Sequence, residues 1–180
     1  MKRVLGYLSE TRSLGLRFRS GETWAPQCYV DSDFASDPDT RKSVTGYIIL
    51  MYGAPVIWKS TKQTKVAAST TEAEFVAASL ASRDVMWLRQ LLQELGRNIT
   101  EPTPVWVDNQ GAVKLIQDGQ FHARTKHIDM DYMLVRDTQT NGDVKAQYVR
   151  GENQFADILT KSLPRDRFQG LREQVGVCQL

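Results

Sequence analysis

The sequence predicts an α/β domain built on a mixed five-stranded sheet with helices packed on it. Three observations carry that expectation. The first half holds three strand-like stretches separated by tight turns, the pattern of an antiparallel meander. The apolar period then lengthens to that of a long helix over residues 71–95. Two further strand-to-helix units follow, giving the order β-β-β-α-β-α-α-β-α, which a mixed sheet accommodates.

Taken in order, residues 1–20 read as a short amphipathic helix with Val4, Leu5 and Leu8 on one side, followed by a basic stretch. Gly21 and Pro26 punctuate the chain before a strand over 27–33 that ends in the turn Asp37-Pro38-Asp39-Thr40. Ser43 to Tyr52 is rich in β-formers, Gly53-Ala54-Pro55 makes the next turn, and Val56-Ile57-Trp58-Lys59-Ser60 starts a third strand. Ser69-Thr70-Thr71-Glu72 has capping-box spacing, and Gly96 marks the other end of the long helix. Its apolar positions are Val76, Leu80, Trp87, Leu88, Leu91, Leu92 and Leu95. Pro104 to Asp108 is a fourth strand running into a helix at 111–116; residues 121–140 also read as helical. Val144 to Val149 alternates like a strand, Asn153 to Leu163 reads as a helix stopped by Pro164, and a last helix covers 165–175.

Composition narrows the function classes. The 180 residues are 41% hydrophobic and 24% charged, as in ordinary globular domains, and no run approaches the ~18 apolar residues of a membrane span. The opening residues lack the apolar stretch of a secretory signal. Two cysteines, Cys28 and Cys178, are too few for a disulfide framework or a cysteine-built zinc site. The net charge of +2 says little, but its distribution says more. Asp31, Asp33, Asp37 and Asp39 form an acidic spot between basic segments that include Arg17, Arg19, Arg41 and Lys42. Such a layout suits a metal-dependent enzyme acting on a polyanion and equally suits a mixed-charge surface.

Four acids stand at ends of elements: Asp31 in the first strand, Glu72 in the first turn of the long helix, Asp108 ending the fourth strand, and Asp157 near the start of a later helix. Acids gathered where strands and helix starts meet repel one another, and a divalent cation relieves that repulsion. Each has a plainer alternative. Asp31 reads as a solvated residue flanking a turn, Glu72 as the acid closing a capping box with Ser69, Asp108 as the start of a turn into Asn109, and Asp157 as an i, i+4 partner of Lys161.

Residues 29–79, running from YVDSDF through TEAEFVAAS, resemble the ribonuclease H domain of copia-type LTR retrotransposon polyproteins. The likeness continues through VWVDNQGAVKL (105–115), FHARTKHIDMDYMLVRD (121–137) and YVRGENQFADILTKSLP (148–164), covering nearly the whole chain. Residues 1–18 resemble the end of the preceding reverse-transcriptase region. The resemblance implies two domains' worth of ancestry, with 1–22 the end of the reverse-transcriptase connection and 23–180 the ribonuclease H domain.

It also implies the ribonuclease H fold and an endoribonuclease that hydrolyses the RNA strand of RNA–DNA hybrids during reverse transcription, leaving 5′-phosphate and 3′-hydroxyl ends. The catalytic and metal-holding residues by motif are Asp31, Glu72, Asp108 and Asp157, with two Mg²⁺ ions and Mn²⁺ as a substitute. Expected partners are the hybrid and the polymerase domain of the same polyprotein, with no membrane, in cytoplasmic virus-like particles. Ser69, Thr70, Asn109 and Gln110 are short polar groups beside the acids suited to reading 2′-hydroxyls, or to capping helices. Lys59, Lys62 and Lys65 suit a phosphate backbone or a solvated hairpin edge.

The loop Arg150-Gly151-Glu152-Asn153 departs from relatives that carry a histidine there, which leaves Glu152 as a candidate assistant. The two histidines are His122 and His127, the latter spaced i, i+4 from Asp131 as a metal pair or, more simply, a surface pair. Tyr29-Val30-Asp31-Ser32 imitates a polymerase core motif but lacks its second aspartate. Competing readings are a catalytically weak module of the same fold that binds hybrid or tethers the polymerase, and a strand transferase or junction resolvase.

Overall fold

Valine, isoleucine and aromatic residues are stiff or bulky enough at Cβ to favour extended backbone, and they populate the strands. The computed structural model describes residues 2–118 and 130–179. The elements are α1 (Lys2–Glu10), β1 (Leu14–Leu16), β2 (Gln27–Asp33), β3 (Val44–Met51), β4 (Ala54–Lys62), α2 (Thr70–Glu94), β5 (Thr103–Val107), α3 (Gln110–Asp118), α4 (Met130–Thr140), β6 (Val144–Tyr148), a 3₁₀ turn (Gly151–Asn153), α5 (Asp157–Thr160), α6 (Arg165–Gln174) and β7 (Val177–Gln179). Five strands form one sheet in the order β4-β3-β2-β5-β6. The β2-β3-β4 meander is antiparallel, and β5 and β6 add in parallel. This is the mixed sheet the sequence predicts.

The hairpin from β3 to β4 turns through Tyr52 (φ 53°) and Gly53 (φ 70°). Two successive left-handed residues match the twist of the flanking strands. Side chains then alternate across the sheet. Cys28, Val30, Tyr47, Ile49, Val105 and Val107 join Phe75, Ala77, Ala81, Val85, Ile116 and Val135 in the larger core, between the sheet and α2–α4. Ile48, Leu50 and Val175 form a smaller one on the opposite face, covered by Phe155, Ile158 and Leu159.

Three expectations change. The long helix forms as expected, but Trp87 and Leu95 on it are 57% and 69% exposed, whereas Ala73, Ala77, Ala78 and Ala81 are fully buried. Small side chains let α2 lie close on the sheet, and of the large ones expected Val76, Leu88 and Leu92 are buried with them. The single helix expected over 153–163 is instead a 3₁₀ turn and the four-residue α5. Gln154 breaks it: its side chain turns inward and donates to the Val30 carbonyl (2.9 Å), an anchor a continuous helix would not allow. Finally, β1 and β7 pair antiparallel in a separate two-stranded sheet that the sequence did not suggest. The end of β7 also accepts from the Arg17 guanidinium at the Gln179 carbonyl (2.9 Å). His122 and His127 lie outside the described residues, as do 121–129 of the segment expected to be helical and the proposed His127–Asp131 pair's side chains; the rest of that segment is α4.

Candidate metal centre

Asp31 sits in the central strand β2, at a position shielded from solvent (1% exposed). It shares a sheet face with Tyr29 and therefore looks toward α5 rather than α2. The parallel register pairs Val30 with Val107, so Asp108, one residue beyond β5, lies level with Asp31. Asn109 accepts from the Ala112 N–H (2.9 Å) and opens α3 at once, which stops β5 there. The third carboxylate comes from α2. Among the described residues, Asp31, Glu74 and Asp108 each bring an oxygen within 4.8 Å of the other two.

Glu74 is the residue that motif reasoning missed. Glu72 is turned another way: its carboxylate accepts from the Ala68 N–H (2.9 Å), and its own N–H donates to the Ser69 hydroxyl (3.1 Å), closing the capping box. The first turns of α2 are buried on every side, from Ala73 through Ser79, so helical period alone does not separate Glu74 from Glu72; their hydrogen bonds do. Glu72 thus stands outside the cluster and Glu74 within it.

The cluster's electrostatics fit a divalent cation. Glu74 is 5% exposed; its Oε1 accepts from the Ser32 N–H (3.0 Å), while Oε2 is buried with no hydrogen-bond partner. Burial, then the charges of Asp31 and Asp108, push its pKa up to about 9. Asp108 is raised for the same reasons, burial first and Asp31 next. A hard cation favours an all-oxygen donor set and would satisfy the orphaned Oε2 while reversing the mutual repulsion.

Asp157, the first residue of α5, is also buried (4% exposed) but lives in a different field. Its Oδ1 accepts from the Lys161 ammonium (2.6 Å) and its Oδ2 from the Arg167 guanidinium (2.7 Å). Lys161 reaches the Asp31 Oδ1 as well (2.9 Å), and the Thr160 hydroxyl donates to Asp31 Oδ2. Burial alone would lower the Lys161 pKa, but hydrogen bonds and the charges of Asp157 and Asp31 outweigh it and hold the ammonium charged. What brings α5 this close is Gly46, the β3 partner of Asp31. A Cβ there would lie 2.5 Å from the Thr160 methyl and 2.9 Å from the Leu159 Cβ.

The remaining predicted residues divide. Ser69 and Asn109 are occupied in capping, Thr70 and Gln110 stand exposed at the starts of α2 and α3, and Lys59 is exposed on β4. Lys62 is ion-paired with Asp37, and Lys65 is exposed. Glu152 is exposed, 3.9 Å from Arg150.

No family model matches the chain. It is 37% identical over all 180 residues to the retrovirus-related Pol polyprotein from transposon RE1 of Arabidopsis thaliana, of which it spans 12%. It is 39% identical over 177 residues, 98% of its length, to that of transposon TNT 1-94 of Nicotiana tabacum, spanning 13% of it. Among solved structures, the LC11 RNase H1 in complex with an RNA/DNA hybrid superposes with a TM-score of 0.55 at 14% identity, covering 75% of this chain and 93% of that one. The N-terminal RNase H domain of a Mycobacterium tuberculosis protein superposes with a TM-score of 0.52 at 13% identity, covering 84% and 98%. At these identities the superpositions speak for the fold. Among the described residues, no helix is long and apolar enough to cross a membrane.

Proposed function

With a chain related over its full length to copia-type transposon Pol polyproteins, and with the fold of ribonuclease H domains, we propose that it is a metal-dependent endoribonuclease that cuts the RNA strand of RNA–DNA hybrids. The observation that carries the reading is the clustered trio of buried Asp31, buried Glu74 and half-buried Asp108, with its unsatisfied Glu74 oxygen. We assign the catalytic carboxylates as Asp31, Glu74, Asp108 and Asp157, replacing Glu72 by Glu74 in the set expected from the motifs.

Asp31 is the hub, shared between the trio and the Asp157 side through Lys161. Glu74 and Asp108 complete a donor set for one Mg²⁺ ion, and Asp31 with Asp157 for a second. When bound, such ions place positive charge at the attacking and departing oxygens of a phosphodiester. The chain's own part is to hold four carboxylates on rigid elements so that little reorganisation is needed, and to exclude water beneath them by the cores on both sheet faces. Cleavage leaves 5′-phosphate and 3′-hydroxyl ends. Exposed Thr70 and Gln110 border the site and are suited to contacts with 2′-hydroxyls, whereas Lys59 on β4 offers a phosphate contact.

Residues 1–22 belong by this reading to the end of a reverse-transcriptase connection, with the polymerase region as partner and virus-like particles in the cytoplasm as setting. The pairing of β1 with β7 then ties that segment to the end of the ribonuclease H domain over 23–180.

The test is incubation of the purified chain with labelled hybrid, duplex DNA and duplex RNA in Mg²⁺, with an EDTA control. Hybrid-selective cleavage that EDTA stops and Glu74→Gln abolishes is the expected result. Equal cleavage of duplex DNA, or full cleavage by Glu74→Gln, would overturn it. A weakly active binding module is the second reading, favoured by the charge pairing of both Asp157 oxygens; tight hybrid binding without any cleavage in Mg²⁺ or Mn²⁺ would select it.

A further inference from the structure

The two halves of the carboxylate cluster differ in what neutralises them. Among the described residues, the trio of Asp31, Glu74 and Asp108 has one cation in contact, Lys161, and that touches only Asp31. Between Asp31 and Asp157 the same ammonium stands 2.9 Å from one carboxylate and 2.6 Å from the other. A monovalent cation at hydrogen-bond distance from two buried carboxylates is placed as a divalent ion bridging them would be.

Local structure fixes it there. Lys161 is the residue at which α5 ends: its backbone is extended (φ −117°, ψ 145°) and its N–H still donates to the Asp157 carbonyl (3.0 Å). The side chain is thereby aimed back along the one-turn helix toward its first residue. Arg167, from α6, holds the other Asp157 oxygen and also donates to the Gly151 carbonyl (2.6 Å). Asp157 is thus clamped on one side by a guanidinium that also bonds backbone, and on the other by an ammonium on a flexible stem. Both side chains are 36% exposed, but among the described residues the Lys161 Nζ makes no backbone hydrogen bond, so the ammonium can leave by rotating its own side chain.

We propose that Lys161 is a built-in competitor for the second divalent cation: it bridges Asp31 and Asp157 until that cation displaces it, so the two metal positions load in order, the Asp31–Glu74–Asp108 position first. This rests on the metal-dependent reading above and goes further by making one position conditional. Lys161 acts through the carboxylates it holds and is a positioning residue. The electrostatic logic is direct. Binding at the trio leaves the two Lys161 hydrogen bonds in place, whereas binding at Asp31 and Asp157 must first break them. Removing the ammonium removes that competition and also the repulsion between Nζ and an incoming cation.

The test is calorimetric titration of the full chain with Mg²⁺ and, separately, Mn²⁺, without nucleic acid, together with melting temperatures across the same titrations. The wild-type chain is expected to bind one cation and then a second at least tenfold more weakly. Lys161→Met and Lys161→Gln should strengthen the second step tenfold or more, leave the first within about threefold, lower the metal-free melting temperature and enlarge the rise that Mg²⁺ produces. Lys161→Arg should keep the weak second step. A lysine needed only for structure would lower the melting temperature without strengthening any binding step, and that result would overturn the proposal. Loss of both steps in the wild-type chain as well would instead remove the metal-dependent reading, and the competitor role with it.

Discussion

Glu74 and Asp157 are both buried acids at the start of a helix, yet their surroundings have opposite sign. Glu74 faces two other carboxylates and keeps an oxygen with no partner, while Asp157 has each oxygen on a cation. Burial raises a carboxyl's pKa, and only the neighbours decide whether that rise survives. One sheet end therefore carries a carboxylate cluster with an unpartnered oxygen beside a carboxylate paired on both sides. The difference teaches that four acids in one cluster need not be one site: half is poised to accept a cation and half already has a substitute.

The sharpest way to break the comparison is to neutralise its members in turn. Glu74→Gln is expected to lower hybrid cleavage by about a thousandfold, the range for removing a major electrostatic group. Asp108→Asn should do the same, and hybrid binding, read by fluorescence anisotropy, should survive both changes. Glu72→Gln, by contrast, should leave cleavage within a few-fold and cost at most ~1 kcal/mol of helix stability, read from denaturant midpoints. If Glu72→Gln were the inactive variant, the assignment of Glu74 would fail.

Next comes the geometry that joins the halves. Gly46→Ala should destabilise by ~1–3 kcal/mol, since the new methyl meets Thr160 and Leu159 below normal contact distance. Cleavage should fall with it as α5 moves off Asp31. A fully active, equally stable Gly46→Ala would show that α5 has slack to spare.

The pH dependence sharpens the contrast further. The Glu74 carboxyl is raised from 4.5 to about 9, chiefly by burial and then by Asp31 and Asp108. The folded state therefore holds a proton that the unfolded state gives up, and stability should decline as pH rises from about 5 to 9. Metal-free melting temperatures should show that decline in the wild-type chain and a flatter course in Glu74→Gln. Because a cation must displace this proton, Mg²⁺ affinity should climb over the same interval and level off near pH 9. The smallest effect concerns the hairpin edge. Lys59→Ala should reduce the salt slope of hybrid binding by about one counterion, and Lys62→Ala by less, since its ammonium is already engaged by Asp37.

Much of this architecture was legible in the sequence because strand-forming runs, turn residues and helix caps agreed with one another. Asp31 and Asp108 were marked by lying in and just after strands, and the family resemblance chose them over their plainer readings. Glu74 was obscured by the local capping signal of Ser69–Glu72, which is real but structural. The inward face of α2 was partly obscured because Ala73, Ala77, Ala78 and Ala81 share it with the larger side chains, and alanine is a weak hydrophobic marker. Residues 153–163 looked helical because Gln154 gives no sign in sequence that its amide will bond the Val30 carbonyl, 124 positions away. The β1–β7 pair, three residues on each side, is set by a tertiary contact between distant segments that no local pattern announces.

Gly46 has a consequence for how the fourth carboxylate is presented. A four-residue helix has almost no tendency to persist in water, since nucleating a turn costs more than one turn returns. The shape of α5 is therefore borrowed from the surface beneath it, where a bare backbone leaves room for Leu159 and Thr160 to settle. Clearance sets how near α5 can come before the Thr160 and Lys161 bonds to Asp31 close the gap: a single absent methyl in β3 works as the spacer gauge of the whole cluster, and the tolerance of the site is the width of that gap.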